Sequence, residues 1–99
     1  MTKGSHEYVD DPRNASIHIW INGELFARDE AKVSVFDSGF ILGDGVWEGL
    51  RVHHGHIAFL DRHLDRLYEG AKAIDMDIGL TPAALTKALY DALAANDMT

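Results

Sequence analysis

An α+β domain, a two-layer sandwich of a mainly antiparallel sheet with two helices, is the fold class that this 99-residue sequence predicts. Three observations lead there. Apolar residues before about position 60 fall in short strand-like runs, and those after it recur at helical spacing. The dipeptides Asn22-Gly23 and His54-Gly55 each separate two such runs. Thr81-Pro82 then opens a second helical stripe.

In chain order, "MTKGSHEYVDDPRNAS" lacks the apolar centre of a secretory leader and reads as a polar, poorly ordered lead-in over residues 1–16. The domain is therefore expected over 17–99. In "SIHIWINGELFARDE" the Asn-Gly pair favours a two-residue turn. This sets Ile21 against Glu24, Trp20 against Leu25 and Ile19 against Phe26. Apolar pairs then lie on both faces of the ribbon, which should be covered on both sides. "KVSVF" reads as a third strand and "DSGFILGDG" as a loop.

A second hairpin is expected from residues 46–53 and 56–60, pairing His53 with His56, Val52 with Ile57, Arg51 with Ala58 and Leu50 with Phe59. That register puts Leu50, Val52, Ile57 and Phe59 on a core face and Trp47, Gly49, Arg51 and His53 on the other. Glu48 falls on the core face, where a carboxylate either needs a partner or lies beyond the covered part of the sheet. Over residues 60–75, Leu60, Leu64, Leu67, Ala71 and Ile74 form one helical stripe. The last helix starts with Thr81 as cap and Pro82 at its first position. It carries Leu85, Ala88, Leu89, Ala92 and Leu93 on its apolar face, and Asn96 is its expected stop.

Composition narrows the function classes. A net charge of −7 argues against a general nucleic-acid binder, which needs clustered Lys and Arg. No apolar run is long enough to span a bilayer, and the absence of cysteine excludes disulfide frameworks and thiolate metal sites. The expected address is cytoplasmic.

Gly43, Gly45 and Gly49 suggest a phosphate-cradling loop, but the segment after them reads as a strand. A dinucleotide loop needs a helix there, whose N-terminus holds the pyrophosphate. Turn glycines are the better account, with Gly49 leaving a gap between Trp47 and Arg51. His53, His54, His56 and His63 invite a metal reading, yet the spacing completes no ligand set, and no metal is expected. Arg62 and Arg66 could simply pair with Asp65 and Glu69 on a solvated face. Alternatively, Arg66 shares its flank with His63, Gly70 and Ala73, small enough for an anion to approach its forked donors. No self-contained catalytic arrangement is specified by the spacings.

Taken whole, "VSVFDSGFILGDGVWEGLRVHHGHIAFLDRHLDRLYEGAKAI" resembles the amino-terminal domain of class IV (fold type IV) pyridoxal-phosphate aminotransferases. This group includes branched-chain, D-amino-acid and (R)-selective amine transaminases and aminodeoxychorismate lyase. The likeness runs from about Ile17 onward. It rests on Gly43-Asp44-Gly45-Val46-Trp47-Glu48-Gly49 and on His63-Leu64-Asp65-Arg66-Leu67. The resemblance implies that Arg66 contacts the cofactor phosphate, and that Phe40, Leu42, Trp47 and Arg51 line the substrate pocket. It also implies pyridoxal 5'-phosphate as cofactor, an amino donor and a 2-oxo acid as substrates, and a homodimer. The Schiff-base lysine belongs to a second domain beyond the equivalent of Thr99, and Lys3, Lys32, Lys72 and Lys87 match nothing in that role. Alone, the 99 residues are expected to be inactive. A lyase of the same fold and a non-catalytic α+β binding module are the alternatives.

Overall fold

The structure is a computed structural model that describes residues 10–98. Most of the expected lead-in, and Lys3 with it, lies outside the described residues. Its final part forms a single 3-10 turn, Pro12–Asn14, capped by Asp11, whose side chain accepts from the Arg13 backbone N–H.

The fold is α+β, as expected; among the described residues it comprises two antiparallel hairpins, each a separate two-stranded sheet, and three α-helices, one more than expected. Strands β1 (His18–Ile21) and β2 (Glu24–Ala27) pair in the register that the Asn-Gly turn dictates: Ile21 with Glu24, Trp20 with Leu25, Ile19 with Phe26. Both turn residues are left-handed, Asn22 at φ 51° and Gly23 at φ 91°, which this two-residue connection requires. Ile19, Trp20, Ile21 and Phe26 are half-buried, but Leu25 stays 45% exposed, so the cover expected on both faces is only partial.

The segment expected as a third strand, 32–36, forms none. Ser34 instead closes a local turn, its Oγ accepting from the Phe36 N–H at 3.0 Å and its carbonyl from the Asp37 N–H at 3.1 Å. Short serine-to-backbone bonds compete with a ladder, and no neighbouring strand offers one among the described residues. The expected loop that follows contains a short helix, α1 (Ser38–Leu42). Asp37 caps it through the Gly39 N–H at 2.8 Å, and Gly43 ends it at φ 72°.

The second hairpin keeps the expected register but is shorter. Strands β3 (Val52–His53) and β4 (His56–Ile57) pair Val52 with Ile57 and His53 with His56, and the Ala58 N–H donates to the Arg51 carbonyl at 2.8 Å. Residues 43–51 carry no regular secondary structure, against the strand expected from 46. Glycines at 43, 45 and 49 weaken strand formation there. Phe59 also departs from expectation. At φ 54° it turns the chain out of the hairpin into the next helix, so its side chain is 71% exposed rather than in the core with Ile57.

Helix α2 (Leu60–Ala73) buries Leu64 and Ala71 from the expected stripe, with Leu60 and Leu67 half-buried and Ile74 at the exposed end. Helix α3 (Pro82–Ala95) starts as expected, with Thr81 Oγ1 accepting from the Ala84 N–H at 3.1 Å and Pro82 inside the first turn. Its apolar residues Leu85, Ala88, Leu89 and Ala92 share a groove with Trp20, which docks the helix on β1. Asn96, the C-terminal stop, fastens the same two elements. Its Oδ1 accepts from the His18 N–H at 2.6 Å and its Nδ2 donates to the His18 carbonyl at 2.9 Å.

Candidate functional site

His63 and Arg66 stand three residues apart on α2, close enough on one flank to reach a common partner. That partner is Glu48, from the irregular segment leading into β3. Arg66 grips it side-on, with Nε donating to Oε2 at 3.0 Å and Nη2 to Oε1 at 2.6 Å. His63 Nδ1 meets the same Oε1 at 2.6 Å. A carboxylate facing a ring nitrogen requires Nδ1 to carry the proton, so His63 is the donor in this bond.

Burial is uneven across the cluster. The Glu48 side chain is 12% exposed, whereas that of Arg66 is 69% exposed. Glu48 is thus anchored while the guanidinium reaches toward solvent. The hydrogen bond from Arg66, then that from His63, holds the Glu48 carboxyl below its ordinary value, and Glu48 in turn raises Arg66. Both are charged at neutral pH. With its Nε–Nη2 edge committed, Arg66 keeps Nη1 and the second proton of Nη2 for another acceptor, since Nη1 has no partner among the described residues. The arrangement is a fixed cation with one open fork, suited to an oxyanion such as phosphate or carboxylate.

Neither Arg62–Asp65 nor Arg66–Glu69 forms among the described residues. Arg62 lies over the Phe59 ring at 5.8 Å instead, and Arg66 turns to Glu48. The small residue at position 70 serves the same junction. A Cβ there would stand 3.4 Å from Val46 Cγ1, so the chain carrying Glu48 passes close over α2 at Gly70.

Beside this junction is an open cleft of about 280 Å³, lined by Val46, Trp47, Leu50, Leu64, Leu85 and Leu89, with Glu48 and His63 at its polar side. Trp47 lines it while remaining 81% exposed. The other expected wall residues do not line this cleft. Phe40 and Leu42 lie on α1, 68% and 70% exposed, and the Arg51 side chain is also exposed. Among the described residues, no group of three or more His, Cys, Asp or Glu side chains is placed to hold a metal ion. Sequence reasoning named Arg66 and Trp47 but missed what Glu48 binds. The signal was there: the hairpin register gave a carboxylate on an apolar face in need of a partner.

A family model described as amino-transferase class IV matches residues 45–99, more than half of the chain. Branched-chain-amino-acid aminotransferase-like proteins 1 and 2 of Arabidopsis thaliana are 44% and 42% identical to it over 87 residues. These alignments take in 88% of this chain and 16% of each relative. The D-alanine aminotransferase of Staphylococcus haemolyticus is 34% identical over 80 residues, 81% of this chain and 28% of that protein. The chain belongs to the class IV aminotransferase family, and it spans less than a third of the length of these relatives.

Proposed function

We propose that this chain is the amino-terminal domain of a pyridoxal-phosphate-dependent class IV aminotransferase, which moves an amino group between an amino acid or amine and a 2-oxo acid. The open fork of Arg66 is the observation that supports this reading. Its side-on bond to Glu48 leaves a charged, forked donor set directed at solvent, and that donor chemistry fits the cofactor's phosphate.

In this reading Arg66 binds the phosphate and so fixes one end of the cofactor. When bound, the cofactor supplies the electron sink that amino transfer needs. Trp47, Phe40 and Leu42 shape an apolar pocket wall, and Arg51 helps place a substrate carboxylate. The Schiff-base lysine comes from the remainder of the enzyme chain. Of the lysines here, Lys87 is held by Asp91 at 2.7 Å on the surface of α3. Residues 17–99 act as one domain, inactive by itself, of a homodimeric cytoplasmic enzyme. Among the described residues no helix is long and apolar enough to cross a membrane.

The test compares Arg66→Ala with Arg62→Ala in the complete protein, measuring retained pyridoxal phosphate after dialysis. Loss of charge-assisted hydrogen bonds to phosphate should weaken binding by about ten- to a hundredfold for Arg66→Ala. Arg62→Ala should retain cofactor like the parent protein. Equal losses in the two variants would refute the phosphate role.

A further inference from the structure

An arginine that is 69% exposed on a helix flank has little of its own to hold its fork in one direction. Here the holding is done from below, by Glu48 at 12% exposure, which is in turn held by His63. We infer that Glu48, fixed by His63, is a positioning residue for Arg66: it occupies the Nε–Nη2 edge and thereby presents the Nη1–Nη2 edge as a preorganised fork for phosphate. This rests on the reading of Arg66 as phosphate anchor.

Two physical effects of Glu48 oppose one another, and the opposition makes the inference sharp. A carboxylate near a phosphate repels it, so as a mere charge Glu48 should weaken anion binding, and its removal should tighten it. As a positioning group it removes conformations that Arg66 would otherwise have to give up on binding, so its removal should loosen the complex. Three features favour positioning. Both guanidinium nitrogens of one edge are engaged, Nε at 3.0 Å and Nη2 at 2.6 Å, so the plane of the fork is set as well as its position. Glu48 Oε1 is shared with His63 Nδ1 at 2.6 Å, so the carboxylate cannot rotate without breaking a second bond. The repelling oxygens face the edge remote from Nη1, where phosphate would sit, and the exposure of Arg66 lets water screen the repulsion.

The experiment measures dissociation constants of the complete protein for pyridoxal phosphate and for pyridoxal, which lacks the phosphate. Glu48→Ala should weaken pyridoxal phosphate by about tenfold, the scale of one charge-assisted hydrogen bond, and leave pyridoxal unchanged. In an Arg66→Ala background the same substitution should have no further effect on pyridoxal phosphate. His63→Phe should give a smaller loss, restored by His63→Asn, whose amide can donate from nearly the position of Nδ1. If Glu48→Ala does not fold, Glu48→Gln, of equal size, decides with the same expected direction. Unchanged or tighter pyridoxal phosphate with Glu48 replaced, while Arg66→Ala still weakens it, overturns the positioning role alone. Equal loss for both ligands also overturns it, as general disruption. An Arg66→Ala protein that binds pyridoxal phosphate normally overturns the anchor reading beneath it.

Discussion

Gly70 offers a direct test of how closely the Glu48 segment lies on α2. Glycine inside a helix is less favourable than alanine by about 0.8–1 kcal/mol, so Gly70→Ala starts from a gain of that size. Against the gain stands one new contact, a Cβ at 3.4 Å from Val46 Cγ1, which is only just inside the optimal separation of carbon atoms. The contact is close to neutral, and the net effect should be a stabilisation of about 0.5–1 kcal/mol. Native-state amide exchange across α2 in the complete protein would read this as roughly two- to fivefold slower exchange where amides open locally. Gly70→Leu sends further carbons into the space of Val46 and should cost about 1–3 kcal/mol. Because Val46 lies two residues before Glu48, that variant should also disturb the Glu48–Arg66 bond and, on the proposed reading, weaken pyridoxal phosphate retention, which Gly70→Ala should leave intact. A Gly70→Ala protein that exchanges faster would show that the approach tolerates no side chain. A Gly70→Leu protein with normal exchange and normal cofactor retention would show that Val46 does not lie over α2.

Two other perturbations have signs that follow from the bonds. Asn96 makes three side-chain hydrogen bonds, two to His18 and one from Nδ2 to the Ala92 carbonyl at 2.8 Å; with partial solvent replacement Asn96→Ala should cost about 1–2 kcal/mol. Asn96→Asp should be worse at neutral pH, by about 0.3–1 kcal/mol, since it sets an anion at the negative end of α3 and an acceptor against two carbonyls; chemical denaturation that ranks Asp above Ala would contradict this. For Glu48 the folded-state value is lowered by Arg66 and then His63, so its contribution is present above the ordinary glutamate range and lost as pH falls through the lower folded value. Acid unfolding followed by circular dichroism should therefore be shallower in Glu48→Gln below about pH 4.5, with the two proteins converging in stability; parallel acid limbs would sink the claim.

What was legible in the sequence was what short-range chemistry decides. Asn22-Gly23 and His54-Gly55 set both hairpin registers because a two-residue turn with positive φ at both positions leaves no freedom in the pairing, and His54 and Gly55 adopt φ 49° and 78°. Thr81-Pro82 and Asn96 bounded α3 for the same local reason. What was not legible depends on distant partners. Residues 32–36 have the composition of a strand, but a strand exists only with a neighbour, and Ser34 found a nearer bond. Phe59 fitted the alternation of β4 but was taken by the reversal into α2. Arg66 could be named as an anion site from its flank and the family likeness. Its grip on Glu48, across 18 residues of sequence, could only be felt as an unsatisfied carboxylate.

Exposed apolar residues are unevenly placed along the chain. Many of them lie in one stretch, where Val33, Val35, Phe36, Phe40, Ile41, Leu42 and Trp47 are each more than half exposed. Among the described residues the buried apolar core is small, Ile57, Leu64 and Ala71. A hydrophobic run of this kind is a cost to an isolated domain and a resource to an enzyme, because it is surface held ready to contact something else. The run ends at Trp47, one residue before the carboxylate that grips Arg66. On the proposed reading, the segment that carries the apolar wall for substrate is tied by Glu48 to the charged fork for phosphate, Arg66 on α2, and Glu48 is the joint between them.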